Sequence, residues 1–177
     1  DRNLQMTMAL YQSVGMADEV MQALAESLDA IRFFLVRILP ALAVSSVLVA
    51  AWTTLLIARP AARRYGLAFP DFGRLNQWRP PEFLVWGAIA SGILLLLPDK
   101  NLRMIGVNGL IILMTVYFFS GIAIISFFLE KKRLPLFFRI CIYLFIALQQ
   151  ILFFLVIGIG FFDIWFNFRK LYTQKEE

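Results

Sequence analysis

The stretch MIGVNGLIILMTVYFFSGIAIISFFL, residues 104–129, contains no Asp, Glu, Lys or Arg. It is longer than the roughly 20 apolar residues that a helix needs to cross a hydrocarbon core of about 30 Å. Inside lipid a helix satisfies its own backbone N–H and C=O groups, whereas barrel strands are shorter and alternate in polarity. The stretch therefore predicts a transmembrane helix, and it sets the class of the whole chain.

Three further charge-free runs lie on either side of it, at residues 38–58, 83–98 and 140–162. The first and the last reach spanning length. The run 83–98 would cover only about 24 Å at 1.5 Å per residue, so we expect local thinning of the bilayer or a partly re-entrant segment there. Together the runs predict an all-α fold, a polytopic transmembrane helical bundle of about four spans.

Composition indicates the same class. Of the 177 residues, 60% are hydrophobic and 16% are charged, against about 45–50% and 25% in a typical soluble domain. The chain has no histidine and one cysteine, Cys141, which removes the commonest general base and metal ligand and any intrachain disulfide. The runs hold no acidic residue either, so we expect no enzyme activity, no metal site and no cofactor. The net charge of +5 is typical of basic loops beside anionic lipid rather than of nucleic-acid binding.

The first 37 residues carry an apolar seam in heptad register, with acidic residues between its positions. The seam consists of Leu10, Val14, Ala17, Met21, Leu24, Leu28 and Ile31. A helix that lies on a membrane surface usually carries Lys and Arg on its polar face, so an acidic face favours packing against protein. Residues 1–37 are therefore predicted as an amphipathic helix leading into the membrane. It either binds a partner or a second copy of the chain, or covers other helices of the same protein, and we expect Pro40 to kink its junction with the first span.

The polar segments predict how the spans are connected. Residues 59–82 form a basic linker with five arginines, and the prolines and glycine in its centre, residues 69–82, forbid a regular helix there. The links 99–103 and 130–135 are short, so consecutive spans should be antiparallel neighbours. Residues 163–177 are predicted as an interfacial aromatic belt and a polar tail. Lys and Arg number nine on one face and seven on the other, which slightly favours cytoplasmic first and third links.

Polar residues within the spans are candidate ligand contacts, because burying an unpaired polar group in lipid is costly. Asn108 and Thr115 share one helix face, and Gln150 lies on a polar face of the last run with Gln149 beside it. The ligand-binding candidates are Asn108, Thr115, Gln149 and Gln150, with Trp78 and Arg79 from the linker. The alternative interpretation is that the amides and hydroxyls bond across to neighbouring helices.

An aromatic and proline-rich motif precedes the second run. It reads Phe69-Pro70-Asp71-Phe72, then Trp78-Arg79-Pro80-Pro81-Glu82-Phe83 and Trp86, with Asn108 and the region 117–121 following. Over about residues 65–170 the chain resembles the YybS-like family of predicted polytopic bacterial membrane proteins. Members are usually longer, with more spans upstream, so the resemblance implies that this chain corresponds to the C-terminal part. It also implies a relation to the substrate-binding membrane components of vitamin and metal uptake systems, and it supplies no catalytic residues.

Two hypotheses for function follow. The first is a transport-type component that binds a small solute between its helices. The second is a non-catalytic accessory subunit that scaffolds a larger membrane complex through the N-terminal seam. In both, the expected location is the bacterial inner membrane as a multi-pass protein, with lipid as one partner, a protein partner or self-association through the N-terminal helix, and no nucleic acid.

Overall fold

The computed structural model describes residues 18–66, 68 and 73–168. The elements in this part of the chain are α1 Asp18–Arg64, a 3₁₀ helix Leu75–Gln77, α2 Phe83–Leu96, α3 Lys100–Lys131, α4 Leu136–Leu148 and α5 Gln150–Phe166. No strand occurs among these residues, and the all-α prediction is confirmed. The helix expected from residues 104–129 is α3, which extends a few residues beyond that run at each end.

The chain divides into two compact units, residues 1–39 and 40–177. The helix α1 contributes to both, and it contains Pro40 and Pro60 within its helical bounds. In the first unit the described residues belong to α1, where the Arg37 guanidinium lies 3.6 Å from the centroid of the Phe33 ring.

The predicted N-terminal seam lies largely outside the described residues. Leu10 and Val14 are outside them, and so are the side chains of Met21 and Leu24. Leu28 is described, and its side chain is partly buried. The expectation that the seam binds a partner therefore stays a prediction.

The number of spans differs from the expected four. Among the described residues, two helices are long and apolar enough to cross a membrane, Glu26–Ala62 within α1 and Lys100–Lys131. The helix α2 has 14 residues, about 21 Å at 1.5 Å per residue, which is too short. It cannot extend further because the Asp99 carboxylate already caps α3, accepting from the backbone N–H groups of Asn101 (2.8 Å) and Leu102 (3.0 Å).

The run 140–162, expected as one span, is divided between α4 and α5. Gln149 has extended backbone at φ −96° and ψ 106°, and the two helices are bent by 103° across it. The backbone stays satisfied, because the Gln149 N–H donates to the Phe145 carbonyl (2.9 Å) and its own carbonyl accepts from the Phe153 N–H (3.1 Å). The expectation of about four spans is thus corrected to two, or to three if the bent pair crosses as one.

In the second unit α3 is the central helix and packs against α2, α5 and the 3₁₀ helix. The core contains Val85 from α2, Leu113 and Tyr117 from α3, and Ile157 from α5. Partly buried aromatic and aliphatic side chains surround it, namely Leu84, Ala88, Phe118, Phe161 and Ile164. This arrangement places the side chains of three helices around Tyr117.

Two glycines bring the backbones of α3 and α5 into contact. A Cβ added to Gly121 would overlap the carbonyl oxygen of Val156, and one added to Gly160 would overlap the carbonyl oxygen of Tyr117. Small residues permit such close approach, which stabilises helix pairs in lipid, where no hydrophobic driving force holds helices together.

Candidate functional site

The Asn108 side chain makes one hydrogen bond between helices and one within α3. Its Oδ1 accepts a hydrogen bond from the backbone N–H of Ala41 at 3.1 Å, and its Nδ2 donates to the Met104 carbonyl at 2.7 Å. Ala41 directly follows Pro40, whose ring disturbs the normal bonding of the surrounding turn. The amide of Asn108 thus satisfies a backbone donor of α1, as the helix-packing interpretation expects.

Thr115 makes a second polar contact between the same two helices. Its Oγ1 lies 3.1 Å from Ser45 Oγ and 2.9 Å from the Ile111 carbonyl oxygen. Asn108 and Thr115 therefore share one helix face, as the sequence predicts, and that face meets α1. Neither side chain lines a cavity among those described below.

Gln149 and Gln150 lie elsewhere, at the bend between α4 and α5. Both side chains are exposed. Gln149 forms the junction itself, since its backbone closes α4 and opens α5. The bend therefore interrupts the polar face predicted for the last run, with Gln149 between the two helices and Gln150 at the start of α5.

Trp78 begins a column of aromatic rings. It contacts Trp52 of α1 edge-on, with ring centroids 5.0 Å apart, and Trp52 stacks on Phe119 of α3 with the same separation and an interplanar angle of 10°. Phe118, the neighbour of Phe119, stacks on Phe153 of α5 at 4.6 Å. The column joins the linker, α1, α3 and α5, so Trp78 acts first as a packing residue.

Arg79 forms an ion pair that the sequence reasoning missed. Its Nε lies 3.4 Å from Asp163 Oδ2, and its guanidinium also donates to the Asn167 side chain. Asp163 is only 2% exposed, and its other oxygen accepts from the backbone N–H of Phe168 at 3.0 Å. The pair fixes the start of α2 to the C-terminal end of α5.

Asp163 is the first residue of the segment 163–177, which the sequence predicts as an interfacial belt and polar tail. It instead lies inside α5, where it is buried and paired. One signal in the sequence could have identified it. Asp163 is the only acidic residue between Glu130 and Glu176, and an isolated carboxylate at the end of an apolar run needs a cationic partner.

An apolar groove of about 350 Å³ lies between α2, α3 and α5. It is lined by Ala88, Ile89, Leu110, Leu113, Met114, Tyr117, Phe154, Ile157, Gly158 and Phe161. Tyr117 contributes to its wall and is 2% exposed, and its ring meets Phe161 edge-on at 5.1 Å. Sequence reasoning missed the groove, because its residues are ordinary apolar side chains contributed by three helices.

Two hydroxyl groups of α3 have no hydrogen-bond partner among the described residues, and one of them belongs to Tyr117, which lines this groove. They are the buried Tyr117 hydroxyl and Ser120 Oγ, one helical turn apart on α3. Burying an unpaired hydroxyl costs on the order of 1–3 kcal/mol. These two buried hydroxyls at the centre of α3 therefore lower the stability of the fold, and no hydrogen bond among the described residues compensates for them.

A second apolar groove, of about 510 Å³, opens between α3, α4 and α5. Its lining includes Cys141, Phe138 and Phe145, all exposed side chains. Such a surface is typical of contact with lipid tails. Its lining includes no residue with an unpartnered buried hydroxyl, unlike the groove at Tyr117.

A polar pocket of about 350 Å³ lies at the C-terminal end of α3. Its lining consists of Arg74, Asn76, Phe127, Glu130, Lys131 and Arg133. Arg74 and Glu130 form an ion pair at 3.0 Å. No group of three or more His, Cys, Asp or Glu side chains that could hold a metal ion occurs in the described part of the chain.

The long apolar helices, the glycine-mediated contact of α3 with α5 and the apolar grooves define a helical membrane protein. The chain belongs to the family described as "Predicted membrane protein (DUF2232)", whose model matches residues 1–164. Comparison with curated proteins and with solved structures found no match.

Proposed function

We propose that this protein is a transport-type membrane component that binds a small apolar or amphiphilic solute in the groove beside Tyr117. The proposal includes the YybS-like assignment made from the sequence, a multi-pass location in the bacterial inner membrane and the absence of catalytic activity. The observation that carries it is the apolar groove between three helices, whose wall includes Tyr117, a buried residue whose hydroxyl has no hydrogen-bond partner among the described residues.

The class of solute follows from the lining. The wall of the groove is formed by aliphatic and aromatic side chains, which favour a hydrocarbon portion. The polar candidates from the sequence do not support a hydrophilic solute, because Asn108 and Thr115 are engaged with α1. A vitamin-like or metal-like polar solute is thus less well supported than a molecule that enters from the lipid phase.

Gly158 offers a way to block the groove without disturbing the fold. It lines the groove, and a Cβ added there meets no atom within 4 Å. Gly158→Leu should therefore fill the groove. Gly92→Leu is the matched control, because Gly92 on α2 is equally open and does not line the groove.

The test uses the full chain in lipid nanodiscs and a photoreactive fatty acid bearing a diazirine. We expect cross-links on peptides containing Met114 and Phe154, competed by excess unlabelled fatty acid. In Gly158→Leu, excess unlabelled fatty acid should no longer reduce the labelling of these peptides. In Gly92→Leu, it should reduce the labelling as in the original protein. Labelling that is equal in both variants, or that no competitor reduces, would contradict the proposal.

Binding should also raise thermal stability. A ligand at 100 times its Kd stabilises the folded state by about 2.7 kcal/mol. At roughly 2–4 °C per kcal/mol for a chain of this size, the melting temperature should rise by about 5–11 °C. The rise should be absent in Gly158→Leu, whose own melting temperature without ligand serves as the reference.

The accessory-subunit function is a second candidate, and one observation favours it. In the apolar part of Glu26–Ala62, 6% of the 18-residue stretch is buried, compared with 39% of the corresponding stretch of Lys100–Lys131. An apolar helix with so little coverage is suited to lipid or to the helix of a partner. Changing Met21 and Leu24 to Asp should then release a co-purifying protein in mild detergent, and retention of that protein would exclude the N-terminal seam as its binding site.

A further inference from the structure

The pocket at the C-terminal end of α3 combines residues from two elements. Arg74 and Asn76 come from the 3₁₀ helix region, while Glu130, Lys131 and Arg133 come from the end of α3 and the turn after it. The contact between these elements is direct, because Arg74 Nη2 lies 3.0 Å from Glu130 Oε1 and Asn76 Nδ2 donates to Glu130 Oε2.

The charge of the pocket is positive. Three cationic side chains line it against one carboxylate, and that carboxylate is already engaged by Arg74 and Asn76. The four charged lining residues sum to a net charge of +2, which favours an anionic ligand.

Arg133 occupies a backbone position that favours glycine. Its φ is +50°, in the left-handed region that closes many helices with Gly. The closure is formed by hydrogen bonds from the Arg133 N–H to the Glu130 carbonyl (3.0 Å) and from the Leu134 N–H to the Leu129 carbonyl (3.3 Å). Because the turn needs no side chain here, an arginine in a strained conformation indicates that its guanidinium has a role of its own.

Asn76 adds a hydrogen-bond acceptor. Its Oδ1 is buried and has no partner among the described residues, while its Nδ2 is held by Glu130. A carbonyl oxygen beside cations suits a ligand that carries both an anionic group and a hydroxyl donor.

The position of the pocket supplies the remaining constraint. It lies at the end of a helix long enough to cross the membrane, and Phe127 forms an apolar part of its wall. Basic pockets at such helix ends bind the head groups of anionic lipids. We propose that this pocket binds the phosphodiester of an anionic glycerophospholipid head group, with Lys131 and Arg133 at the phosphate and Asn76 at a head-group hydroxyl.

Arg133→Gly is an informative variant, because it removes the charge and relieves the backbone. Its melting temperature should be unchanged or higher, so loss of binding cannot be attributed to unfolding. Lys132→Gln is the matched control. It removes the same charge from the adjacent residue, which does not line the pocket.

The experiment titrates the full chain in detergent with phosphatidylglycerol or phosphatidylcholine and counts bound lipid by native mass spectrometry. A basic residue near the membrane surface contributes about 1 kcal/mol, or about fivefold in affinity. We expect phosphatidylglycerol to bind more tightly than phosphatidylcholine, with affinity falling about fivefold or more in Arg133→Gly and less than twofold in Lys132→Gln.

Three results would overturn the proposal. Equal losses in both variants would mean a general effect of surface charge, and equal binding of the two lipids would remove the role of the anion. A parallel arm uses glycerol 3-phosphate. Saturable binding of this ester that is lost in Arg133→Gly, without any preference between the lipids, would assign the pocket to a soluble phosphate ester instead.

Discussion

The contact between α3 and α5 predicts that replacing either of two glycines, even by alanine, lowers the stability of the protein. Gly121 faces the carbonyl oxygen of Val156, and Gly160 faces the carbonyl oxygen of Tyr117. In each case the obstacle to a new methyl group is the backbone of the other helix, which cannot rotate away as a side chain can. We expect Gly121→Ala and Gly160→Ala each to destabilise the protein.

The magnitude follows from two opposing terms. Alanine is favoured over glycine within a helix by about 1 kcal/mol. Overpacking a close contact costs about 1–3 kcal/mol, and contact with rigid backbone favours the upper half of that range. The net loss should therefore be about 1–2 kcal/mol for each variant.

Gly158→Ala is the control for helix propensity. It lies on the same helix as Gly160, yet its added methyl group meets no atom within 4 Å, so it should gain about 1 kcal/mol. The control and the two test variants should then differ by about 2–3 kcal/mol, which corresponds to roughly 4–12 °C in melting temperature. Far-ultraviolet circular dichroism of the full chain in one detergent measures all three.

A melting temperature of Gly121→Ala or Gly160→Ala at or above that of Gly158→Ala would contradict the prediction. That result would mean that α3 and α5 are not in backbone contact. A loss of stability in Gly158→Ala as large as in the other two would equally contradict it, since propensity alone predicts a gain there.

Two further predictions concern polar contacts. Arg79→Ala should lower the free energy of unfolding by about 3 kcal/mol, because it leaves the buried Asp163 carboxylate without its cationic partner. Asp163→Asn should lower it by only about 1 kcal/mol, since the Arg79 side chain is 40% exposed and reaches water. Denaturant unfolding measures both variants, and the reverse order of losses would contradict the ion pair. Asn108→Leu should cost about 1 kcal/mol by stranding the Ala41 N–H, and Thr115→Val should cost less in the same assay. Equal losses of stability in Asn108→Leu and Thr115→Val would mean that the hydrogen bond to Ala41 contributes no more than the contact of Thr115.

Much of the fold follows from hydrophobic length. Residues 104–129 predict α3 because a charge-free run of that length has no other stable arrangement in lipid. The bend at Gln149 could not be predicted in the same way. No proline or glycine marks it, and its backbone bonds to Phe145 and Phe153 within an otherwise apolar sequence.

At the candidate site, too, the sequence predicts part of the arrangement and leaves the contacts between helices open. The spacing of Asn108 and Thr115 predicts a shared face, but spacing does not say whether that face meets a solute or a helix. In the structure that face meets α1, since Asn108 accepts from the Ala41 N–H and Thr115 contacts Ser45. The ion pair of Arg79 with Asp163 was not predicted, since its members are separated by 84 residues and meet only when α2 and α5 pack on α3.

The sequence by itself determined that this is a helical membrane protein, because the apolar content and the charge-free runs are properties of local composition. It also determined that Asn108 and Thr115 share a helix face, because helical periodicity is local as well. Only the tertiary structure decided the number of long spans, the partners of the polar residues, the groove beside Tyr117 and the basic pocket at Arg133. Each of these depends on which helices meet, and that is decided by contacts between residues far apart in the chain.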